Sequence, residues 1–137
     1  MKKIALVFAL MSLLGCSREE ATPEERLIYG KWQLLEFCVS PGNGSCDPQQ
    51  ATAVRTQSLE FKKNGSFIQR IPQPGQFSTP IVSSGDFSIK TPGRINFNFD
   101  NKTTFKEEVS WLYELSDTLL TIRPQCIEGC AYTYERQ

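Results

Sequence analysis

The sequence predicts an all-β protein, an eight-stranded up-and-down antiparallel barrel that follows a cleaved signal peptide and a short flexible tether. Three observations favour this fold class. From residue 30 onward, apolar residues alternate with polar ones, as they do in strands with one buried face. Turn residues divide this region into short segments. Finally, the tight connections alternate with longer ones, and an up-and-down meander places these two kinds at opposite ends of a barrel.

The candidate strands are rich in Phe, Ile, Thr, Tyr and Val, the residues that strands favour. They span residues 30–39, 56–62, 66–71, 83–90, 94–100, 104–115, 118–123 and 131–136. Three connections are tight: "KNG" at 63–65, "TPG" at 91–93 and "SD" at 116–117. The longest connections, 40–55, 72–82 and 124–130, all fall at the other end of such a meander. We therefore expect a barrel that is closed by tight turns at one end and open, with long loops, at the other.

The first tight turn also predicts which side chains face inward. A three-residue loop with Gly65 at positive φ sets Phe61 opposite Phe67, whereas a two-residue loop sets Phe61 opposite Ile68. The first register aligns the apolar residues Leu59, Phe61, Phe67 and Ile71 on one face and Glu60, Lys62 and Arg70 on the other. We prefer it because a slip of one residue turns every side chain over.

The N-terminus predicts export. Residues 1–16 read "MKKIALVFALMSLLGC": two lysines precede an apolar run that is too short to span a bilayer and typical of a signal peptide. The final "LLGC" resembles the lipobox of bacterial lipoproteins. This resemblance implies that residues 1–15 are removed and that Cys16 carries diacylglycerol and a further acyl chain such as palmitate, a stable attachment. We expect a cell-envelope protein with a lipid anchor in the outer membrane, facing the periplasm or the cell surface.

Residues 16–26 are predicted to be the lipidated cysteine and a flexible acidic tether, and residues 27–137 the barrel domain. After Cys16 the chain reads "SREEATPEER", which offers one aliphatic residue and so cannot bury much surface. Of 15 Lys and Arg and 15 Asp and Glu, the signal removes two lysines, which leaves 13 basic and 15 acidic side chains. There is no basic stripe, so nucleic acid is not an expected partner.

Exported chains form disulfides, and with Cys16 acylated four cysteines remain. If Cys38 lies opposite Cys130 in an antiparallel pairing of the first and last strands, the same register places Trp32 opposite Arg136, Leu34 opposite Tyr134 and Glu36 opposite Tyr132. This register predicts the disulfides Cys38–Cys130 and Cys46–Cys126. The local pairs Cys38–Cys46 and Cys126–Cys130 are the alternative. A metal site is not expected, because the chain contains no His and export disfavours an all-thiolate cluster.

The stretch Gly30-Lys31-Trp32 resembles the Gly-x-Trp signature of lipocalins, eight-stranded barrels that hold small apolar ligands. With "LEFKKNGSF" and "GCAYTYER", residues 27–137 are similar to small lipocalin-like lipoproteins of Bacteroidetes; no other lipocalin signature is clear. The resemblance implies that Trp32 plugs the closed end, that Arg136 covers it through a cation–π contact, and that Gly30 lets the chain cross beneath the plug.

An eight-stranded barrel can be filled by its own side chains or can hold one small ligand, and the aromatic residues of this chain suit either case. The candidate ligand-binding residues are Glu36, Phe87, Trp111, Tyr113, Tyr132 and Tyr134. Glu36 shares the inward face with Trp32 in the predicted register, where the hydroxyl of Tyr132 could hydrogen-bond it. If the first strand is shifted, Leu35 and Phe37 replace Glu36 inside.

The sequence favours binding over catalysis. The first functional hypothesis is a lipid-anchored protein that holds a small hydrophobic or amphiphilic ligand in its barrel. The alternative is a barrel lipoprotein that binds another protein through its disulfide-tied loops, as an inhibitor or a subunit of an envelope complex. We expect no enzyme, no catalytic residues and no cofactor, because there is no His and the adjacent Glu107 and Glu108 point to opposite faces of a strand.

Overall fold

The computed structural model describes residues 21–40, 46–51, 57–73, 76–101, 107–126 and 129–137, with the backbone alone for residues 76–78. The predicted signal peptide (residues 1–15) and the predicted lipidation site Cys16 lie outside the described residues. Within them, no helix has the length and apolar character needed to cross a membrane.

The described residues form one short helix and nine strands. The helix, α1, spans Pro23–Ile28. The strands are β1 Gly30–Val39, β2 Gln49–Gln50, β3 Ser58–Phe61, β4 Ser66–Gln73, β5 Gln76–Thr91, β6 Arg94–Phe99, β7 Val109–Leu115, β8 Leu119–Arg123 and β9 Cys130–Arg136. Each predicted strand overlaps one of these elements. Residue 56 of the second predicted strand and residues 104–106 of the sixth lie outside the described residues.

The strands close into a barrel. Each strand from β3 to β9 pairs with the next in an antiparallel sense, and β1 pairs with both β3 and β9. The eight strands β1 and β3–β9 therefore form a closed antiparallel barrel, which confirms the predicted fold class. The two-residue β2 was not predicted; it lies beside the second half of β1, with Glu36 opposite Gln50 and Phe37 opposite Gln49.

The tight turns lie at one end of this barrel. The β3–β4, β5–β6 and β7–β8 turns are at the same end as the start of β1 and the end of β9, and we call this the closed end. In the first of these hairpins Phe61 lies opposite Phe67 and Gly65 has φ +82°, as the sequence predicted. The opposite, open end carries the β4–β5 connection and the segment that joins β8 to β9.

The N-terminal helix corrects the predicted tether. Residues 23–26, assigned to a flexible segment, belong to α1. Thr22 caps the helix: its hydroxyl accepts from the Glu25 backbone NH (3.2 Å), and the Glu25 carboxylate accepts from the Thr22 NH (3.0 Å). This capping box and Pro23 in the first turn explain why so polar a segment begins a helix. Ile28 at the other end is fully buried in the core, which fixes α1 against the closed end.

A β-bulge in β1 corrects the predicted register with β9. Leu34 lies opposite Tyr134, as expected, but the next paired residue, Glu36, lies opposite Thr133. One extra residue, Leu35, therefore sits in β1 without a partner in β9. Such a bulge turns the side chains that follow it to the other face of the strand.

The same bulge corrects the predicted disulfides. Cys38 lies opposite Ala131, so the neighbouring Cys130 points to the opposite face of the sheet and cannot reach it. The structure contains the local pairs Cys38–Cys46 and Cys126–Cys130, with Cα atoms 5.7 and 6.0 Å apart, in place of the predicted Cys38–Cys130 and Cys46–Cys126. Each disulfide therefore ties one segment of the open end to itself, and neither joins the two segments.

Candidate functional site

Trp32 forms the base of the barrel interior. Its side chain is fully buried, and its indole NH donates a hydrogen bond to the carbonyl of Ile28 in α1 (2.8 Å). The guanidinium carbon of Arg136 lies 4.2 Å from the centre of the Trp32 ring, a cation–π distance. The structure thus brings Trp32 and Arg136 together at the closed end, in the arrangement that the resemblance to lipocalins implied.

Arg136 also fastens the elements around the plug. It donates hydrogen bonds to the carbonyls of Tyr29 (2.9 Å), Asp117 (2.8 Å) and Leu27. Gly30 has φ +125°, a conformation that other residues rarely adopt. A Cβ atom there would also lie 3.3 Å from the Arg136 side chain. Gly30 therefore lets the chain turn from α1 into β1 directly beneath the arginine.

Phenylalanine side chains fill the part of the interior above the plug. Phe61 packs edge-on against Phe87, with ring centres 4.9 Å apart. Phe67 packs edge-on against both Phe97 (4.9 Å) and Phe99 (5.1 Å). Edge-to-face contacts of this kind add to the stability that apolar burial provides. These rings therefore occupy the interior next to the plug.

The open half contains a cavity of about 480 Å³. Its volume lies within the range of small-molecule sites, roughly 300–1,000 Å³. The wall is mostly apolar or aromatic, with a few amide and hydroxyl groups. The lining residues are Gln57, Leu59, Gln69, Ile71, Ile81, Ser83, Phe99, Asn101, Trp111, Ile122, Pro124, Tyr132 and Tyr134.

Four of the polar residues that line the cavity form two neutral pairs. On one side, the side-chain amide of Gln57 donates a hydrogen bond to the Tyr134 hydroxyl (2.9 Å). On another, Gln69 in β4 lies directly opposite Ser83 in β5, and directly opposed residues project from the same face of a sheet. These two polar pairs, Gln57–Tyr134 and Gln69–Ser83, together with Asn101 and the Tyr132 hydroxyl, interrupt a largely apolar wall.

Tyr134 is buried, with 2% of its surface exposed. Burial raises the pKa of its phenol well above the ordinary value, although the hydrogen bond from Gln57 opposes that shift. The cause is that removal from water disfavours the charged phenolate. The folded protein therefore keeps the Tyr134 phenol neutral far into the alkaline range.

This shift predicts alkaline destabilisation. Above about pH 10 the unfolded chain loses the Tyr134 proton while the folded chain keeps it, so the stabilisation present below pH 10 is lost as pH rises. We expect the free energy of unfolding to fall by about 1 kcal/mol per pH unit from this group. In urea unfolding between pH 9 and 12, the free energy of unfolding should fall less steeply with pH for Tyr134→Phe than for the parent protein. Parallel declines would contradict the assignment.

The structure brings three of the six candidate ligand-binding residues to the cavity wall: Trp111, Tyr132 and Tyr134. Phe87 does not line the cavity, because it packs between Phe61 and Tyr29 in the closed half.

Tyr113 is also outside the cavity. It is buried near α1, where its hydroxyl donates to the Glu24 carboxylate (2.8 Å). Burial, followed by the hydrogen bond and the negative charge of Glu24, raises the pKa of the Tyr113 phenol. Its contact is with the helix that covers the closed end, and so its role there is structural.

Glu36, the remaining candidate, lies on the outer face. Beyond the bulge it shares a face with Thr133 and Gln50, and its carboxylate accepts a hydrogen bond from the Gln50 side chain (3.3 Å) at the protein surface. Phe37, the residue that was expected inside if the strand shifted, packs against the core opposite Tyr132. The predicted inward carboxylate is therefore replaced by a phenyl ring.

Sequence reasoning missed most of the cavity wall, although part of it could have been found. Leu59 and Ile71 were placed on the inward face by the first hairpin, and both line the cavity. Gln57 and Gln69 lie two residues from Leu59 and Ile71, respectively, and this alternation could have placed them on the same inward face. Ser83 carried no such signal, because a polar residue in a strand is normally assigned to the solvent face.

The cavity lining contains no Asp, Glu, Lys or Arg among the residues that the structure describes. Over the same described ranges, no group of three His, Cys, Asp or Glu side chains could hold a metal ion. What the wall offers is therefore apolar contact, aromatic faces and neutral hydrogen-bonding groups, which together suit reversible binding.

No family model matches the chain, and none of the curated proteins does. Among solved structures, it is similar to a lipocalin-like protein from Bacteroides uniformis, with 18% identity, a TM-score of 0.55, and coverage of 81% of this chain and 99% of that one. It is also similar to an uncharacterized protein from Bacteroides eggerthii, with 19% identity, a TM-score of 0.51, and coverage of 80% and 98%. A redesigned β-barrel matches with 16% identity, a TM-score of 0.52, and coverage of 82% and 94%. At these identities the likenesses show the fold, a lipocalin-like barrel.

Proposed function

We propose that this lipocalin-like barrel is a lipid-anchored protein of the cell envelope that holds a small hydrophobic or amphiphilic molecule in its open half. One observation supports the proposal above all: a cavity of about 480 Å³ in the open half, with a largely apolar wall. Burial of a ligand against such a wall is favourable by roughly 25 cal/mol per Å² of apolar surface. The barrel needs no rearrangement to provide the site, which limits the cost of ordering.

The division of the interior explains why the site would be at the open end. Trp32 and Arg136 seal one end, and the phenylalanines occupy the adjacent half of the interior. Trp111 lies where the cavity meets this packed region, with its ring centre 5.0 Å from that of Phe97. A guest that enters from the open end would rest on Trp111, so its fluorescence should report binding.

A cavity-filling substitution tests the proposal. Nile red, a neutral dye that fluoresces in apolar surroundings, should bind the parent protein and brighten. Ser83→Phe places a phenyl ring in the cavity and should weaken dye binding by about tenfold or more, since overlap with the guest costs at least 1–3 kcal/mol. The matched control is Val82→Phe, the next residue on the same strand; Val82 is 59% exposed and faces outward.

Equal dye binding by the parent protein and Ser83→Phe would place the dye elsewhere and reject the cavity as the site. Loss of binding in both variants would point to a general disturbance of β5. Because Trp111 and Trp32 are the only tryptophans, a Trp32→Phe variant would also assign any quenching by the dye to the cavity residue.

The anchor is tested separately. Cells that express the protein should incorporate radiolabelled palmitate into it and hold it in the membrane fraction, because two or more acyl chains attach a protein stably. Cys16→Ala should abolish both the label and the membrane association. A labelled Cys16→Ala protein, or an unlabelled parent protein, would reject the proposed lipidation.

The proposal assigns a binding role and no catalytic one. Tyr132 and Tyr134 are the only side chains of the described cavity lining with an ionisable group, and Tyr134 stays protonated at neutral pH. General acid–base catalysis works best with a group whose pKa lies near the working pH. Tyr134 is not such a group, because burial raises the pKa of its phenol.

The alternative, binding of another protein at the open end, is favoured by three exposed apolar side chains. Val39, Ile81 and Val82 are 53%, 50% and 59% exposed, and Val39 directly follows Cys38 of the Cys38–Cys46 disulfide. A stable complex in a pull-down that survives in Ser83→Phe and is lost in Val82→Asp would support this second function over the first.

A further inference from the structure

The chemistry of the cavity wall restricts the guest further than its volume does. Charged residues occur on the strands that build the wall, but none of them is among the described residues that line the cavity. A guanidinium nitrogen of Arg70 in β4 lies 3.7 Å from a carboxylate oxygen of Glu60. A guanidinium nitrogen of Arg123 in β8 lies 2.7 Å from a carboxylate oxygen of Glu114. These two cations therefore lie outside the cavity, and the described lining presents no counter-charge to a ligand.

The neutral polar pairs supply hydrogen bonds without charge. Gln57 reaches the Tyr134 hydroxyl from one side of the cavity, while Gln69 and Ser83 project from the β4–β5 side. Amides and hydroxyls both donate and accept hydrogen bonds. Such groups can satisfy a hydroxyl, amide or carbonyl of a guest, and each satisfied pair contributes modestly to binding.

An anionic guest would bind the cavity more weakly than a neutral one. A carboxylate that leaves water for a largely apolar cavity loses its hydration, and neutral partners restore only part of that loss. Tyr134 shows this effect within the protein: burial raises the pKa of its phenol, so that its anion is disfavoured there. The same surroundings would disfavour the anion of a bound ligand.

We propose, resting on the binding function proposed above, that the guest is an uncharged amphiphile whose polar group is a hydroxyl, amide or carbonyl, and that fatty-acid anions are excluded. The apolar tail packs against Leu59, Phe99, Trp111 and Ile122. The polar group bonds to the Gln57–Tyr134 or the Gln69–Ser83 pair.

Matched competitors test this proposal. Decan-1-ol and decanoate have the same chain length, so the difference between them isolates the charge. At about pH 7, decan-1-ol should displace Nile red from the purified protein at a concentration roughly tenfold or more below that of decanoate. Below about pH 4 decanoic acid is largely neutral, and its competition should approach that of decan-1-ol, whose own competition should not change.

A substitution gives the converse test. Gln69→Lys places a cation on the cavity wall and should shift the preference toward decanoate by about tenfold, while the outward substitution Ile68→Lys should not. Far-UV circular dichroism establishes whether both variants are folded. The pH dependence of decanoate competition is measured on the parent protein, so it tests the proposal even if a variant does not fold.

The outcomes separate the two proposals. If decanoate competes as well as decan-1-ol at neutral pH, the exclusion of anions is wrong and the binding function stands. If Nile red and both competitors fail to bind, the binding function itself is wrong and this inference fails with it.

Discussion

Trp32→Ala should destabilise the barrel by about 4 kcal/mol, the middle of the range for truncation of a large buried aromatic side chain. Trp32 is fully buried, and its removal leaves a cavity between α1 and the packed phenylalanines. The Ile28 carbonyl loses its indole donor, and Arg136 loses the ring on which it stacks. The measurement is urea unfolding with the disulfides intact, followed by far-UV circular dichroism.

Trp32→Phe provides the graded comparison, because it keeps an aromatic ring but loses the hydrogen bond to Ile28, and it should cost about 1–2 kcal/mol. Arg123→Ala is the control substitution at a distance from the plug. Arg123 forms an exposed ion pair, so the free energy of unfolding should fall by less than about 1 kcal/mol. A Trp32→Ala protein within about 1 kcal/mol of the parent would show that the closed end does not depend on its plug.

Gly85→Ala should be the second severe substitution, with a loss of about 3 kcal/mol or more, at the upper end of the range for overpacking. A Cβ atom at this position would lie 2.1 Å from the carbonyl oxygen of Asn98 in β6. The overlap is with backbone, so the strands themselves would have to separate. Glycine at such a point permits the tight bend of a barrel strand.

The aromatic core depends on the same position. Gly85 lies opposite Phe67 on one side and Phe99 on the other, and these two rings meet edge-on. Gly129→Ala is the matched control: Gly129 has φ +82°, but a Cβ atom there would meet nothing within 4 Å among the described residues. The only cost is then that of placing an alanine at positive φ, which should lower the free energy of unfolding by about 1 kcal/mol. Equal midpoints for the two variants in thermal unfolding would contradict the close approach at Gly85.

The strand pattern could be predicted because it depends on local chemistry. Alternation located all eight barrel strands, and the three-residue turn at 63–65 predicted that Phe61 lies opposite Phe67, which the structure confirms. Trp32 opposite Arg136 and Leu34 opposite Tyr134 were likewise predicted. In the hairpin a few neighbouring residues are enough to decide the register. The β1–β9 pairs were derived from the supposed Cys38–Cys130 pairing, and they hold only up to the bulge at Leu35.

The bulge in β1 could not be predicted, and several errors have this one cause. "WQLLEFCV" contains no Gly or Pro that would mark an extra residue at Leu35. The predicted inward Glu36 and the predicted Cys38–Cys130 disulfide both depend on an uninterrupted register. The structure places Glu36 outside and pairs Cys38 with Cys46, because the bulge reverses the faces that follow it.

The helix α1 was missed for a different reason. Its sequence signal, Thr22 followed three residues later by Glu25, was present, but the high charge of the segment indicated a tether. The position of the cavity along the barrel was also beyond the sequence, since Phe87 and Trp111 have the same alternating pattern. Which aromatic residues pack together depends on contacts between strands distant in the chain.

The most direct test of a guest site in the open half is a methyl NMR titration of the isoleucines with decan-1-ol. Ile71, Ile81 and Ile122 line the cavity, whereas Ile28, Ile89 and Ile95 are buried elsewhere in the core. We expect saturable shifts for the first group and little change for the second. Saturable shifts confined to the second group, or no shift in either, would contradict the account.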